Sequence, residues 1–157
     1  MSSADERPPY IAYAAIASTF LGGLAGAGSL ARALRREPRE LTPLDLVMLS
    51  AATFKAARTV SREKVASFVR QPFVEGEAYA GSEEPVGNGA RRAIGELVTC
   101  TRCVGTWLAA GLASTQLLAP RFGRLLTLSL GAAAANDFLQ AGFSALTAKA
   151  NKLEQRG

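Results

Sequence analysis

Cys100 and Cys103 are the only cysteines of the chain, and Glu96 precedes the first of them by four residues. On a continuous helix the three share one face. Two thiols at this spacing allow three chemistries. They pack at a helix boundary, they act in thiol redox or modification with Arg102 lowering a thiol pKa, or they ligate a metal. A zinc site needs about four ligands. One chain supplies two thiolates and Glu96, so a zinc or iron ion would be shared between two chains of a homo-oligomer, and no other cofactor is expected. The chain has no histidine. That removes Ser-His-Asp and Cys-His nucleophiles and histidine-rich metal sites, so no catalytic residue is assigned. No βαβ pattern accompanies the cysteines, which argues against a thioredoxin-like domain.

Asp137 is a second centre, because it stands twelve residues into an otherwise uncharged run, Leu125 to Ala148. A carboxylate in such a run needs a partner. Lys55 and Arg58 are the expected ones, in an ion pair inside the membrane. Asn136 and Gln140 are available for helix contacts. A proton or ion relay is the functional alternative, but the sequence offers no second acid in an apolar run to receive the proton.

The elements that must position these groups follow from where charge is missing. Pro8 to Ala31 and Cys103 to Pro120 are uncharged, and Leu125 to Ala148 carries only Asp137. About 20 apolar residues span the hydrocarbon of a bilayer, so each run is read as a transmembrane helix. A soluble alanine-rich bundle would also bury uncharged helices, but its helices usually run shorter. The leader ahead of the first run has Asp5, Glu6 and only Arg7, which does not resemble a signal peptide, so that helix is read as retained. Gly22 and Gly26 form a GxxxG pair suited to close helix association.

Thr42-Pro43-Leu44-Asp45 has the composition of a helix start, with a capping threonine, proline in the first turn and an acid facing the positive helix end. Leu46, Leu49, Thr53, Ala57 and Val60 then share one face, and Lys55, Arg58 and Arg62 another. The expectation is an amphipathic helix at the membrane interface, although a fourth crossing is the rival. The fold class expected is therefore all-α: a small integral membrane bundle of three transmembrane helices plus an amphipathic interfacial helix.

Of the 18 Lys and Arg residues, twelve lie between Arg32 and Arg102 and three follow Ala148. With three crossings, the positive-inside rule puts the long segment, the cysteines and the C-terminus in the cytoplasm and the N-terminus outside. Thiols there are normally reduced, which disfavours a permanent disulfide. Arg32, Arg35, Arg36 and Arg39 follow the first helix directly and are read as anchors on anionic lipid headgroups. The sequence pI of 9.7 could also signal nucleic-acid binding. The arginine cluster lacks interleaved aromatics, however, and a bilayer explains the excess of charge, so nucleic acid is an unlikely partner.

Residues 74–89 hold four acids, no base, four glycines and a proline, a mobile and exposed composition, and Pro72 stops the preceding helix. The order Arg58, Lys64-Val65, Arg70-Gln71-Pro72-Phe73, an acidic glycine-rich loop, Gly95-Glu96-Leu97, the cysteine pair, Trp107 and Asn136-Asp137-Phe138 resembles domain of unknown function 1360. The likeness runs over residues 42–142, and Thr101 stands where that family carries proline. The resemblance implies an uncharacterised bacterial inner-membrane protein with a sporulation-like, envelope or developmental role. Three parts are expected: an N-terminal transmembrane helix with basic flank (1–41), a family-like membrane domain (42–148) with an acidic cytoplasmic loop at 72–89, and a polar tail (149–157). Arg70, Pro72 and Phe73 are expected to present a surface to a cytoplasmic protein partner. The functional expectation is a structural or interaction component. The alternatives are a thiol redox or metal-binding membrane protein, and a subunit of an oligomeric transporter with Asp137 lining a shared path.

Overall fold

The computed structural model describes residues 8–38, 40–77 and 82–154. Its elements are α1 (Tyr10–Ala33), α2 (Pro43–Arg62), a 3-10 turn (Lys64–Ala66), α3 (Ser67–Arg70), β1 (Val74–Glu75), β2 (Glu84–Pro85), α4 (Gly89–Thr99), α5 (Thr101–Leu118) and α6 (Pro120–Glu154). The fold is mostly helical, with one short antiparallel ribbon pairing Val74 with Pro85 and Glu75 with Glu84. That ribbon lies inside the acidic loop. Arg39 of the basic cluster and residues 78–81 of the loop lie outside the described residues.

Local chemistry sets the helix boundaries. Thr42 Oγ1 accepts from the Asp45 amide at 3.2 Å, and Asp45 Oδ2 accepts from the Thr42 amide at 2.9 Å. This reciprocal capping box satisfies two amides that a helix start leaves unpaired, and Pro43 occupies the first turn as its sequence position predicts. At the other end of the domain, α4 and α5 are separate helices. Cys100 has extended backbone (φ −91°, ψ 102°) between them, so the single helix expected to run through the cysteines is broken there.

Four helices pack together, and contacts between named residues give their directions. On α1, Tyr13 meets Glu96 and Phe20 meets Trp107, whose ring centroid is 5.2 Å away. Residues 35–38, just past α1, share a cavity with Ala113, Gln116 and Leu117. Helices α1 and α5 therefore run parallel. On α2, Met48 abuts Gly131 and Ala57 abuts Gly105, while Lys55 meets Asp137, so α2 runs parallel to α6 and antiparallel to α5. Three crossings with a peripheral α2 would make α1 and α5 antiparallel. In the structure α1 and α5 run parallel, and α2 packs on α5 and α6, antiparallel to α5. The buried side of α2 is alanine and serine (Ala52, Ala57, Ser61), residues that pack helices closely.

The tightest turn joins α5 to α6. A Cβ on Gly123 would lie 2.6 Å from the Gln116 backbone nitrogen, so only glycine fits that approach. Nearby, Gln116 Nε2 donates to the buried Thr127 hydroxyl at 2.8 Å, linking the two helices.

Candidate functional site

One end of the bundle gathers the C-terminus of α2, α3, the ribbon, α4 and the start of α5. Arg70 sits at its centre and is 0 % exposed. Its Nε and Nη2 donate to the two oxygens of Glu83, at 2.7 and 3.0 Å. Nη1 donates to the carbonyls of Val60 and Glu63, at 2.6 and 3.1 Å. Those carbonyls belong to the last turn of α2 and its cap, where the α-helical ladder runs out, and the Glu63 carbonyl also accepts from the Ala66 amide at 3.2 Å. A single guanidinium therefore closes α2 and holds the far strand of the acidic loop. The planar fork suits both tasks at once, which a lysine ammonium would not.

The rest of the Arg-x-Pro-Phe segment is bound in the same way. The Pro72 carbonyl accepts from Arg91 Nε at 2.9 Å, and the Phe73 carbonyl accepts from the Val86 amide at 3.0 Å. Gly95 completes the contact, since a Cβ there would sit 2.6 Å from the Phe73 carbonyl oxygen. Of the expected partner surface, the Arg70 part is corrected: that side chain is buried, whereas Pro72 is exposed and Phe73 half-buried. Arg70 faces inward, and the backbone of the other two docks the loop on α4. Val65, Phe68 and Val69 are exposed apolar side chains at this end.

Cys100 and Cys103 are joined in a disulfide, with their Cα atoms 5.2 Å apart. Cys100 is the N-cap of α5, and its sulfur accepts from the Cys103 amide at 3.2 Å. The expectation of reduced thiols is thus not met. Reduction of this bond is what would free thiolates for zinc or iron. Glu96 does not join them: its carboxylate accepts from the Tyr13 hydroxyl and from Arg92 Nε, the latter at 3.2 Å. Among the described residues no group of three His, Cys, Asp or Glu side chains comes together as a metal site. On α4, the Glu96 carboxylate faces α1, where Tyr13 meets it. A cavity of about 560 Å³ lies between α1, α4 and α5, and Cys103, Trp107, Phe20 and Glu96 are on its wall.

Asp137 and Lys55 meet as anticipated, with 3.0 Å between Lys55 Nζ and Asp137 Oδ2. Lys55 also reaches Glu63 at 2.7 Å, so one ammonium joins two carboxylates. Beside it Phe54 stacks on Phe138 at 5.5 Å. Arg58 is exposed and lies outside this cluster. Gly22 and Gly26 are open: among the described residues, no atom outside their own helix backbone comes within 4 Å of a Cβ placed on either. Sequence reasoning missed Tyr13, Glu63 and Glu83. Glu83 could not be told from the other loop acids by composition, and Glu63 is tied to Arg70 and Lys55 only through the turn that ends α2.

The family model described as protein of unknown function (DUF1360) matches residues 48–143, so the chain belongs to that family. It is also 31% identical over 97 residues to the sporulation protein YjcA of Bacillus subtilis (strain 168), a match covering 57% of this chain and 82% of that protein. No solved structure matches. The matched span takes in the Arg70 junction, the disulfide and the Lys55–Asp137 pair, while α1 and its basic flank lie outside it.

The Arg70 junction yields a stability prediction. Arg70→Met leaves the Glu83 carboxylate buried without its partner, and removing one member of a buried ion pair costs ~3–5 kcal/mol. Thermal melting of the purified protein in detergent should show a large drop for Arg70→Met. Arg70→Lys should restore only part of it. A melting temperature within a degree or two of wild type for Arg70→Met would remove the junction from the account.

Proposed function

We propose that the chain is a multi-pass helical protein of the bacterial cytoplasmic membrane, serving as an interaction component of an envelope or developmental assembly. The observation that carries this is an inverted distribution of apolar side chains. The buried residues are chiefly small ones such as Ala31, Ala52, Ala57 and Ala134, while Ile11, Leu21, Leu30, Leu125, Phe138 and Phe143 are exposed. In water such a surface would aggregate. In a bilayer it is the ordinary arrangement, with small residues between helices and large ones toward lipid. Helix α1 is long and apolar enough to cross by itself, at about 36 Å for its 24 residues.

Because α1 and α5 run parallel, a crossing by both requires α2 to cross between them, and α6 then returns. Four crossings put both termini on one side. Among the described residues that end has nine Lys and Arg residues, against five at the end of the α1–α2 and α5–α6 turns. The positive-inside rule assigns the richer end to the cytoplasm. This keeps the cysteines and the acidic loop cytoplasmic and moves the N-terminus inside as well. The interaction role draws on the name of the relative, a sporulation protein. It also draws on the open Gly22/Gly26 face of α1, which suits a second copy of the chain.

The test is extraction and topology in bacterial cells. The protein should stay with the membrane through alkaline carbonate and dissolve only in detergent. Reporters that are active only outside the cytoplasm should be silent at either terminus and active when inserted after Arg121. Release by carbonate refutes membrane embedding. An active N-terminal reporter with a silent C-terminal one refutes four crossings.

The disulfide favours a second reading, thiol redox chemistry. On a cytoplasmic face disulfides are as a rule transient and catalytic or redox-sensing, and a cysteine at a helix N-terminus has a stabilised thiolate. Maleimide labelling of intact cells should then find two reactive thiols after reductant and none after a mild oxidant. Cys100→Ser/Cys103→Ser should abolish that change. A pair that answers to neither treatment until the protein is denatured is structural.

A further inference from the structure

The end of the bundle opposite the Arg70 junction holds a cavity of about 610 Å³, within the ~300–1,000 Å³ typical of ligand sites. Leu44 and Met48 of α2, Leu117 of α5 and Leu128 of α6 give it apolar walls, and Arg35, Arg36 and Arg124 also line it. The three arginines are exposed, so they border its open side. Among the described residues none of them forms an ion pair. The two acids on the cavity, Glu37 and Asp45, leave an excess of positive charge, and Asp45 already accepts from the Thr42 amide and hydroxyl in the capping box.

The backbone supplies an independent observation. Arg35 has φ of +51°, the one non-glycine residue with positive φ among those described. Its amide donates to the Arg32 carbonyl at 3.0 Å, and the Arg36 amide donates to the Ala31 carbonyl at 2.8 Å. This is the closing pattern of a helix whose left-handed position is usually glycine, because a side chain is strained there. An arginine held in that conformation beside a cavity, where glycine would close the helix more easily, points to work for its side chain.

We infer that this cavity binds an anionic phospholipid, one acyl chain against the apolar walls and the phosphate on Arg35, Arg36 and Arg124. The inference rests on the membrane reading above, which supplies the lipid and sets the arginines at headgroup level. Charge complementarity selects the class: a zwitterionic lipid would bring a second cation toward three arginines, and a soluble phosphate compound would leave the apolar walls unused. Guanidinium groups suit the phosphate because they donate in pairs.

The full chain, purified in mild detergent and stripped of lipid, is titrated with phosphatidylglycerol and with phosphatidylcholine of the same acyl chains, and bound lipid is counted by native mass spectrometry. The expected result is one phosphatidylglycerol per chain, held about tenfold more tightly than phosphatidylcholine. Arg36→Gln/Arg124→Gln should erase the preference. Arg35→Gly should weaken it while keeping or raising the melting temperature, because glycine relieves the left-handed backbone. That opposite movement separates loss of the ligand from loss of the fold. Equal retention of both lipids by the wild type overturns the site, as does an unchanged preference in the arginine variants. Glycerol 3-phosphate binding as tightly as the lipid would also overturn it, in favour of a soluble anion. A protein released by carbonate refutes the membrane reading itself, whereas a carbonate-resistant protein without lipid preference refutes this site alone.

Discussion

Arg70 is the residue on which the rest of the structure depends. It is fully buried, and its guanidinium holds Glu83 and the last carbonyls of α2 together. A charge without water needs such partners, since an isolated buried ion is far too costly to keep. Meeting that need ends α2, fixes the turn after it and pins the loop strand against α4. The chain is thereby carried across the end of the bundle and enters α5 at the same end where α1 began. Gly95 makes the crossing close enough, because the Phe73 carbonyl occupies the space of any side chain there.

The direction of α5 has consequences along the whole molecule. Parallel α1 and α5 need a returning helix, and α2 is the only described helix long enough between them. It carries Lys55, which finds Asp137 on α6 and Glu63 at its own end. Pairing of this kind lets a charged side chain pack among apolar helices. The small residues that let the helices meet are the ones that leave the large apolar side chains pointing outward. Packing and solvent preference therefore have a common origin in the sequence.

Much of this was legible in advance. The uncharged runs located α1, α5 and α6, and the Thr42–Asp45 signature located the start of α2 because a capping box is a local feature of four residues. The Lys55–Asp137 pair was legible for a different reason: an acid in an apolar run has few partners to choose from. Charge counting read α2 as interfacial, because its nine uncharged residues before Lys55 are few for a crossing. The count could not register that Asp137 and Glu63 would offset that lysine. The Arg-x-Pro-Phe segment carried a strong pattern but no indication of direction, and a buried arginine has the same letter as an exposed one. Helix polarity was equally hidden, because contacts such as Phe20 with Trp107 join residues far apart in the chain.

The parallel run of α1 and α5 is the claim on which the four-crossing account stands, and cross-linking in native membranes tests it most directly. With Cys100→Ser and Cys103→Ser as background, Phe20→Cys is combined with Trp107→Cys, and separately Tyr13→Cys with Leu117→Cys. The account predicts rapid cross-linking within one chain for the first pair, whose native rings lie 5.2 Å apart, and none for the second. Cross-linking of the second pair in place of the first would mean that α1 and α5 run in opposite directions, and the four-crossing arrangement would be wrong.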